Sequence, residues 1–176
     1  MKKMTRVFGL LLILGVIFTS CGSDDDNRRE YQFEGTCKET ISLKGFESQD
    51  TSTDKNHKVS LNDLLKKYDY VPPVIKGELY LTDGTSIRIT GLENGVILKN
   101  FVLSINDLKY NFGDINADKS NLYTNVTLEY FRNSFNRMIG NKKLRVYATF
   151  TPNEKIDVEN NVNLEIVFKG MFTYKK

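Results

Sequence analysis

Tryptophan is absent from the chain, histidine occurs once and proline three times. The missing Trp removes the large flat aromatic face on which a sugar-binding platform leans. The lone imidazole, His57, would have to serve any Ser-His-Asp arrangement or histidine-activated thiol. It lies in Asp54-Lys55-Asn56-His57-Lys58, a polar run that reads as a mobile loop. A membrane-spanning helix is lacking at the N-terminus too. The apolar stretch Val7 to Phe18 would rise about 18 Å, against about 30 Å of bilayer hydrocarbon. Nor is there a usable excess of positive charge. Setting aside Lys2, Lys3 and Arg6 takes the 25 basic residues to 22, which the 22 acidic residues balance. Nucleic acid is therefore not an implied partner, because phosphate binding needs a basic excess on one face. The local run Lys142-Lys143-Leu144-Arg145 reads as a strand entrance with solvated charges.

What is present begins with an address. Lys2, Lys3 and Arg6 precede the apolar stretch, and small residues follow it, which is the layout of a secretory signal peptide. Phe18-Thr19-Ser20-Cys21 resembles the bacterial lipobox, with Phe18 standing where that motif usually has Leu. The resemblance implies diacylglycerol on the Cys21 thiol, cleavage before it, and two or three acyl chains in the membrane. Each buried methylene is worth about 0.8 kcal/mol, so several chains hold far better than one. Ser23-Asp24-Asp25-Asp26 resembles the acidic export signal that carries lipoproteins of the Bacteroidetes to the outer face of the outer membrane. A periplasm-facing protein with an acidic, solvated linker is the alternative. The expected organisation is a signal peptide over 1–20, an acidic tether over 21–30 and one globular domain over 31–176. The chain as a whole resembles small Bacteroidetes lipoproteins in build and tether, with no family motif in its globular part. With Cys21 lipidated, Cys37 has no intramolecular partner in an oxidising compartment and reads as core filler.

The globular part alternates. Tyr31 to Ile41 predicts a first strand, with Tyr31, Phe33 and Cys37 on one face. Ser60-Leu61-Asn62-Asp63-Leu64-Leu65 opens a short helix over about 60–69, capped by Ser60 and stopped by Pro72-Pro73. Gly77 to Thr82, Asp83-Gly84 and Thr85 to Thr90 predict a hairpin, since Asp-Gly supplies the positive φ angles of a tight primed turn. Turns at Asn94-Gly95 and Asn106-Asp107, with a bulge at Asn100, extend it to a four-strand antiparallel meander ending in Leu108, Tyr110 and Phe112. Val126 to Ile139 carries Leu128, Phe131, Phe135, Met138 and Ile139 at helical spacing and predicts the main helix, stopped by Gly140-Asn141. Leu144 to Phe150 and Asn163 to Tyr174 predict a last hairpin, with Gly170 shifting the register of the second strand. The sum is a mainly β fold: an antiparallel sandwich or partly open barrel of about seven strands, with a helix covering one end.

Chemistry is sparse. Asp114-Ile115-Asn116-Ala117-Asp118 offers oxygens at the first, third and fifth positions of a calcium loop. Lys119 stands where glycine is needed, however, and Asn125 where a bidentate Glu belongs. The stretch reads as a surface loop with local turn hydrogen bonds, and neither metal nor cofactor is expected. Outward strand positions Tyr80, Arg88, Arg145 and Tyr147 form a candidate binding patch for a glycan or a protein. The expected function is a non-catalytic binding or accessory module, lipid-anchored at the cell surface. A lipocalin-like carrier of an apolar ligand and an immunity or inhibitor lipoprotein are the alternatives. Replacing Cys21→Ala should abolish incorporation of labelled palmitate and release the protein from the membrane fraction; label retained in that variant would refute the acylation site.

Overall fold

The computed structural model describes residues 29–43, 55–65, 73–157 and 161–175. The strands among them are β1 (Glu30–Ser42), β2 (Lys55–Ser60), β3 (Val74–Leu79), β4 (Ser86–Thr90), β5 (Leu98–Ile105), β6 (Leu108–Ile115), β7 (Lys143–Pro152) and β8 (Asn163–Lys175). Helix α1 spans Leu61–Leu64 and α2 spans Leu128–Asn141. The fold is mainly β, with the strands divided between two antiparallel sheets and no closed barrel. One sheet places β8 at its centre, with β1 on one edge and β3 and β4 on the other. The other runs β2, β7, β5, β6.

Alternation in the two longest inner strands explains the layering. Leu144, Val146, Ala148 and Phe150 of β7 are buried, as are Leu164, Ile166, Phe168 and Phe172 of β8, with half-buried residues between them. A period of two puts one set on each inner face. Helix α2 bridges the sheets. Its Phe135 ring stands edge-on to Phe168 and Phe172, at 5.8 Å from each, while Phe131 stacks on Phe112 of β6 at 6.2 Å. Each fully buried Phe contributes roughly 1.5–3 kcal/mol of hydrophobic stabilisation. Tyr130, on the same helix, donates its hydroxyl to the Leu103 carbonyl at 2.8 Å, and burial pushes its phenol far above the ordinary value. Cys37 lies in the core, 2% exposed.

The predicted hairpin at Asp83-Gly84 does not form. β3 and β4 do not pair with each other; they line up end to end along the same edge of β8. Leu79 faces Gly170 and Ser86 faces Val167, so the six residues 80–85 stand against the two residues 168–169. The turn signal is real, since Gly84 has φ +78°, but it makes an excursion within one interrupted strand. Thr85 closes the gap: its Oγ1 accepts from Lys169 N at 3.2 Å and lies 3.4 Å from the Lys169 carbonyl, which also accepts Tyr80 N at 2.9 Å. A turn motif specifies where the chain bends and leaves the pairing partner open. Here the thirteen-residue β8 offers an edge that neither fragment covers alone.

Other expectations shift for related reasons. The four-strand meander reduces to one hairpin, β5–β6, whose Asn106 and Asp107 have φ 47° and 66° as a primed turn requires. β4 and β5 lie in different sheets, and so do β7 and β8, so the last hairpin is instead a crossing between layers. The bulge at Asn100 forms, with φ 53° and a register shift beside it. Gly170 causes no register shift, for burial alternates through it to Phe172. The polar run around His57 is strand β2, paired with β7, and is the strand missing from the expected seven. Ser60 caps α1 as expected, accepting Asp63 N at 3.0 Å, while residues 66–69 of that predicted helix lie outside the described residues. α2 starts at Leu128, because Thr127 Oγ1 accepts Thr124 N at 2.9 Å and donates to the Leu122 carbonyl at 2.7 Å. It runs through Gly140 and ends on Lys142, whose φ of 55° supplies the left-handed residue. Lys142 is held there by its carbonyl, which accepts Leu61 N at 2.9 Å, and by its ammonium, which donates to the Val74 carbonyl.

Gly170 is the tightest point of the β3–β8 seam: a Cβ there would fall 2.2 Å from the Glu78 carbonyl oxygen. Gly170→Ala is expected to cost about 1–3 kcal/mol, the usual range for overpacking. Urea denaturation checks this, and an unchanged midpoint would contradict the close approach.

Candidate functional site

Of the residues expected to form a patch, Tyr80 and Arg88 lie on the outer face of the β8 sheet, and Arg145 and Tyr147 on the outer face of the β7 sheet. The layers point these pairs away from each other, so no common patch exists. These side chains also have local partners. Arg88 donates Nε and Nη2 to Glu165 at 3.1 Å, Arg145 pairs with Asp107 at 3.4 Å, and the Lys169 ammonium sits 5.9 Å from the Tyr80 ring centre. Lys169 in turn bonds Asp83 at 2.8 Å and lies 3.3 Å from Glu34, and those carboxylates hold its ammonium above the ordinary value. The outer face of the β8 sheet is a lattice of solvated ion pairs. Cys21, Ser23, Asp24, Asp25 and Asp26 lie outside the described residues. In the stretch considered for calcium, Asp114 Oδ1 accepts Asn100 N at 2.9 Å and Asn116 Oδ1 accepts Lys119 N at 3.0 Å. Only the second is the local turn bond that the loop reading expects; the first ties β6 to the bulge in β5, and Asp114 and Ile115 belong to β6 and not to a loop.

Composition predicts a loop at His57, yet this residue belongs to β2 and faces Glu39 from the edge of the opposite sheet. β1 and β2 are the two edge strands on one side of the sandwich, and Glu39 and His57 both occupy inward positions of the alternation. Their Oε1 and Nε2 lie 3.0 Å apart. The alignment falls short of a hydrogen bond, so the contact acts through charge and only with a protonated imidazole. It ties two sheet edges together. Glu39 stands as a charge in the inward row of β1 between Cys37 and Ile41, a signal the alternation carries, whereas His57 lies in no apolar pattern.

The other side of the sandwich is different. There β3 forms the sheet edge, and a cleft of about 360 Å³ runs between it and α2, lined by Gly77, Glu78, Leu79, Leu81, Arg132 and Asn136. Arg132 and Asn136 are one helical turn apart and share the exposed flank of α2, next to the buried row Phe131, Phe135 and Ile139. Helix and strand meet tightly below the cleft. A Cβ at Gly77 would come within 2.9 Å of Ile139, so glycine is what lets α2 approach. Tyr123 closes one end by donating its hydroxyl to the Leu81 carbonyl at 3.0 Å. Burial raises the Tyr123 phenol above its ordinary value and the Arg132 guanidinium pulls it partly back. Arg132 has no ion-pair partner among the described residues. A strand edge that no described strand covers, an apolar floor of Leu79 and Leu81 and the Arg132 guanidinium make a place that could hold a ligand by hydrogen bonds and charge.

No protein-family model, curated protein or solved structure matches the chain. The cleft therefore stands on its own geometry. Tyr123→Phe should cost about 1 kcal/mol through the lost hydrogen bond, whereas Arg132→Ala should leave stability within about 0.5 kcal/mol. Chemical denaturation of both variants checks this, and a large loss in Arg132→Ala would give that side chain a structural role.

Proposed function

We propose that the protein is a lipid-anchored, non-catalytic binding module displayed on the outer face of an outer membrane, with the β3–α2 cleft as its contact site. The observation that carries the binding half is a guanidinium, Arg132, without an ion-pair partner among the described residues, beside a strand edge that no described strand covers. Anchoring and display rest on the sequence: a charged and apolar N-terminus, Phe18-Thr19-Ser20-Cys21 and the acidic residues Asp24 to Asp26. The interior argues for contact at the surface. Phe101, Phe131, Phe135, Phe150, Phe168 and Phe172 are all fully buried between the layers and the helix, so the space that a carrier of apolar ligands would need is occupied by side chains. An immunity or inhibitor role is one form of the same reading, with a protein as the ligand.

Protease shaving of intact cells tests display. Loss of the protein without loss of a periplasmic control is the expected result, and a protein that resists protease until the outer membrane is breached would overturn the surface assignment.

A further inference from the structure

The backbone of β3 says what kind of ligand the cleft takes. Tyr80 N donates to the Lys169 carbonyl, and Leu79 faces Gly170. In an antiparallel ladder hydrogen-bonding residues alternate, so Lys76, Glu78 and Tyr80 turn their N–H and C=O toward β8. Gly77 and Leu79 then turn theirs outward, into the cleft they line. No described residue bonds these groups, since β3 pairs with β8 alone. The edge is closed at both ends instead: the Lys142 ammonium occupies the Val74 carbonyl and the Tyr123 hydroxyl occupies the Leu81 carbonyl. By contrast, the edge of β4 is covered by the segment after β6, through Ile89 N to Ser120 O and Leu122 N to Ile87 O, both at 2.8 Å. Among the described residues, one half of this sheet edge is thus covered and the other half is bare. A bare edge invites another strand.

We infer that the cleft accepts an extended peptide of a partner protein, added as a strand to β3 between the Lys142 and Tyr123 closures, with an acidic side chain of that peptide on Arg132. This inference rests on the binding-module reading and names its ligand class. The mode is strand addition, in which main-chain hydrogen bonds supply affinity and alternate side chains supply selectivity. Alternate residues of the added strand face α2, where Arg132 and Asn136 stand as the cation and the amide that suit a carboxylate. The remaining residues face the outer surface of the sheet beside Lys76 and Glu78, whose exposed side chains flank a second, smaller depression of about 250 Å³.

The probe is a phage-displayed library of nine-residue peptides alternating Val or Thr with randomised positions, panned on the full chain in detergent. Enrichment of Asp or Glu at one alternating position is expected. Arg132→Glu should weaken a selected synthetic peptide at least tenfold. Methylating the peptide's backbone nitrogens at every second residue should abolish binding in one register and spare it in the other. Bound peptide should also slow hydrogen exchange at the amides of Gly77 and Leu79. Any one of three results overturns the inference: no selected peptides, binding indifferent to Arg132 and to N-methylation, or no added protection at those two amides. A concentration-dependent dimer that protects Gly77 and Leu79 without peptide would overturn it in favour of pairing between two copies. Surface shaving reads display separately, so a failure there leaves these peptide readouts standing.

Discussion

Everything in this fold hangs on β8 being hydrogen-bonded along both edges. β1 pairs with it residue by residue from Glu30↔Lys175 to Ser42↔Asn163. The opposite edge is shared between two fragments whose combined length matches it only after a six-residue excursion is looped out. Because β8 is central, its inward side chains form the middle of the core and its outward side chains the middle of an ion-pair lattice. Lys169 shows the coupling well. Its backbone holds Tyr80 and Thr85, and its ammonium holds Asp83 at the tip of the same excursion. One residue thus fastens both the ladder and the loop that interrupts it.

How much of this was legible depends on the range of the interaction. Alternation in Leu144 to Phe150 and in Leu164 to Phe168 reported burial correctly, because inward and outward positions are set by the strand's own period. The Ser60 cap, the Asn106-Asp107 turn and the Asn100 bulge are local too, and each formed. What failed were the partners. Asp83-Gly84 looked like a hairpin because the sequences flanking it alternate, yet alternation is equally satisfied when both flanks pair with a distant β8. The same limit hid β2. A polar strand that covers one edge has little apolar pattern to show, and His57 acquires meaning only when Glu39 is brought 3.0 Å away.

The cleft was invisible for a sharper reason. Nothing in Gly77-Glu78-Leu79 distinguishes an edge strand from a central one. Its bareness is what remains after β8 has taken one side, the segment at 120–123 has covered β4, and α2 has come to rest on Gly77. Arg132 likewise carries no signal in the sequence, since it stands outside the apolar stripe of α2. The outward strand residues that sequence periodicity nominated, Tyr80, Arg88, Arg145 and Tyr147, were visible because they alternate, and alternation is a property of structural residues. The binding geometry arises where regular pairing stops.

That leaves a relation between the anchor and the edge. β1 begins at Glu30, whose carboxylate lies 3.3 Å from Lys76 at the start of β3 and 3.8 Å from Lys175 at the end of β8. The bare segment therefore starts beside the point where the chain leaves the sandwich toward Cys21. On the anchored reading, a tether of about ten residues extends at most roughly 35 Å, which bounds how far this end of β3 can stand from the lipid. A strand added to β3 would then have one of its ends within that reach of the anchor, because Lys76 and Glu30 are already in contact.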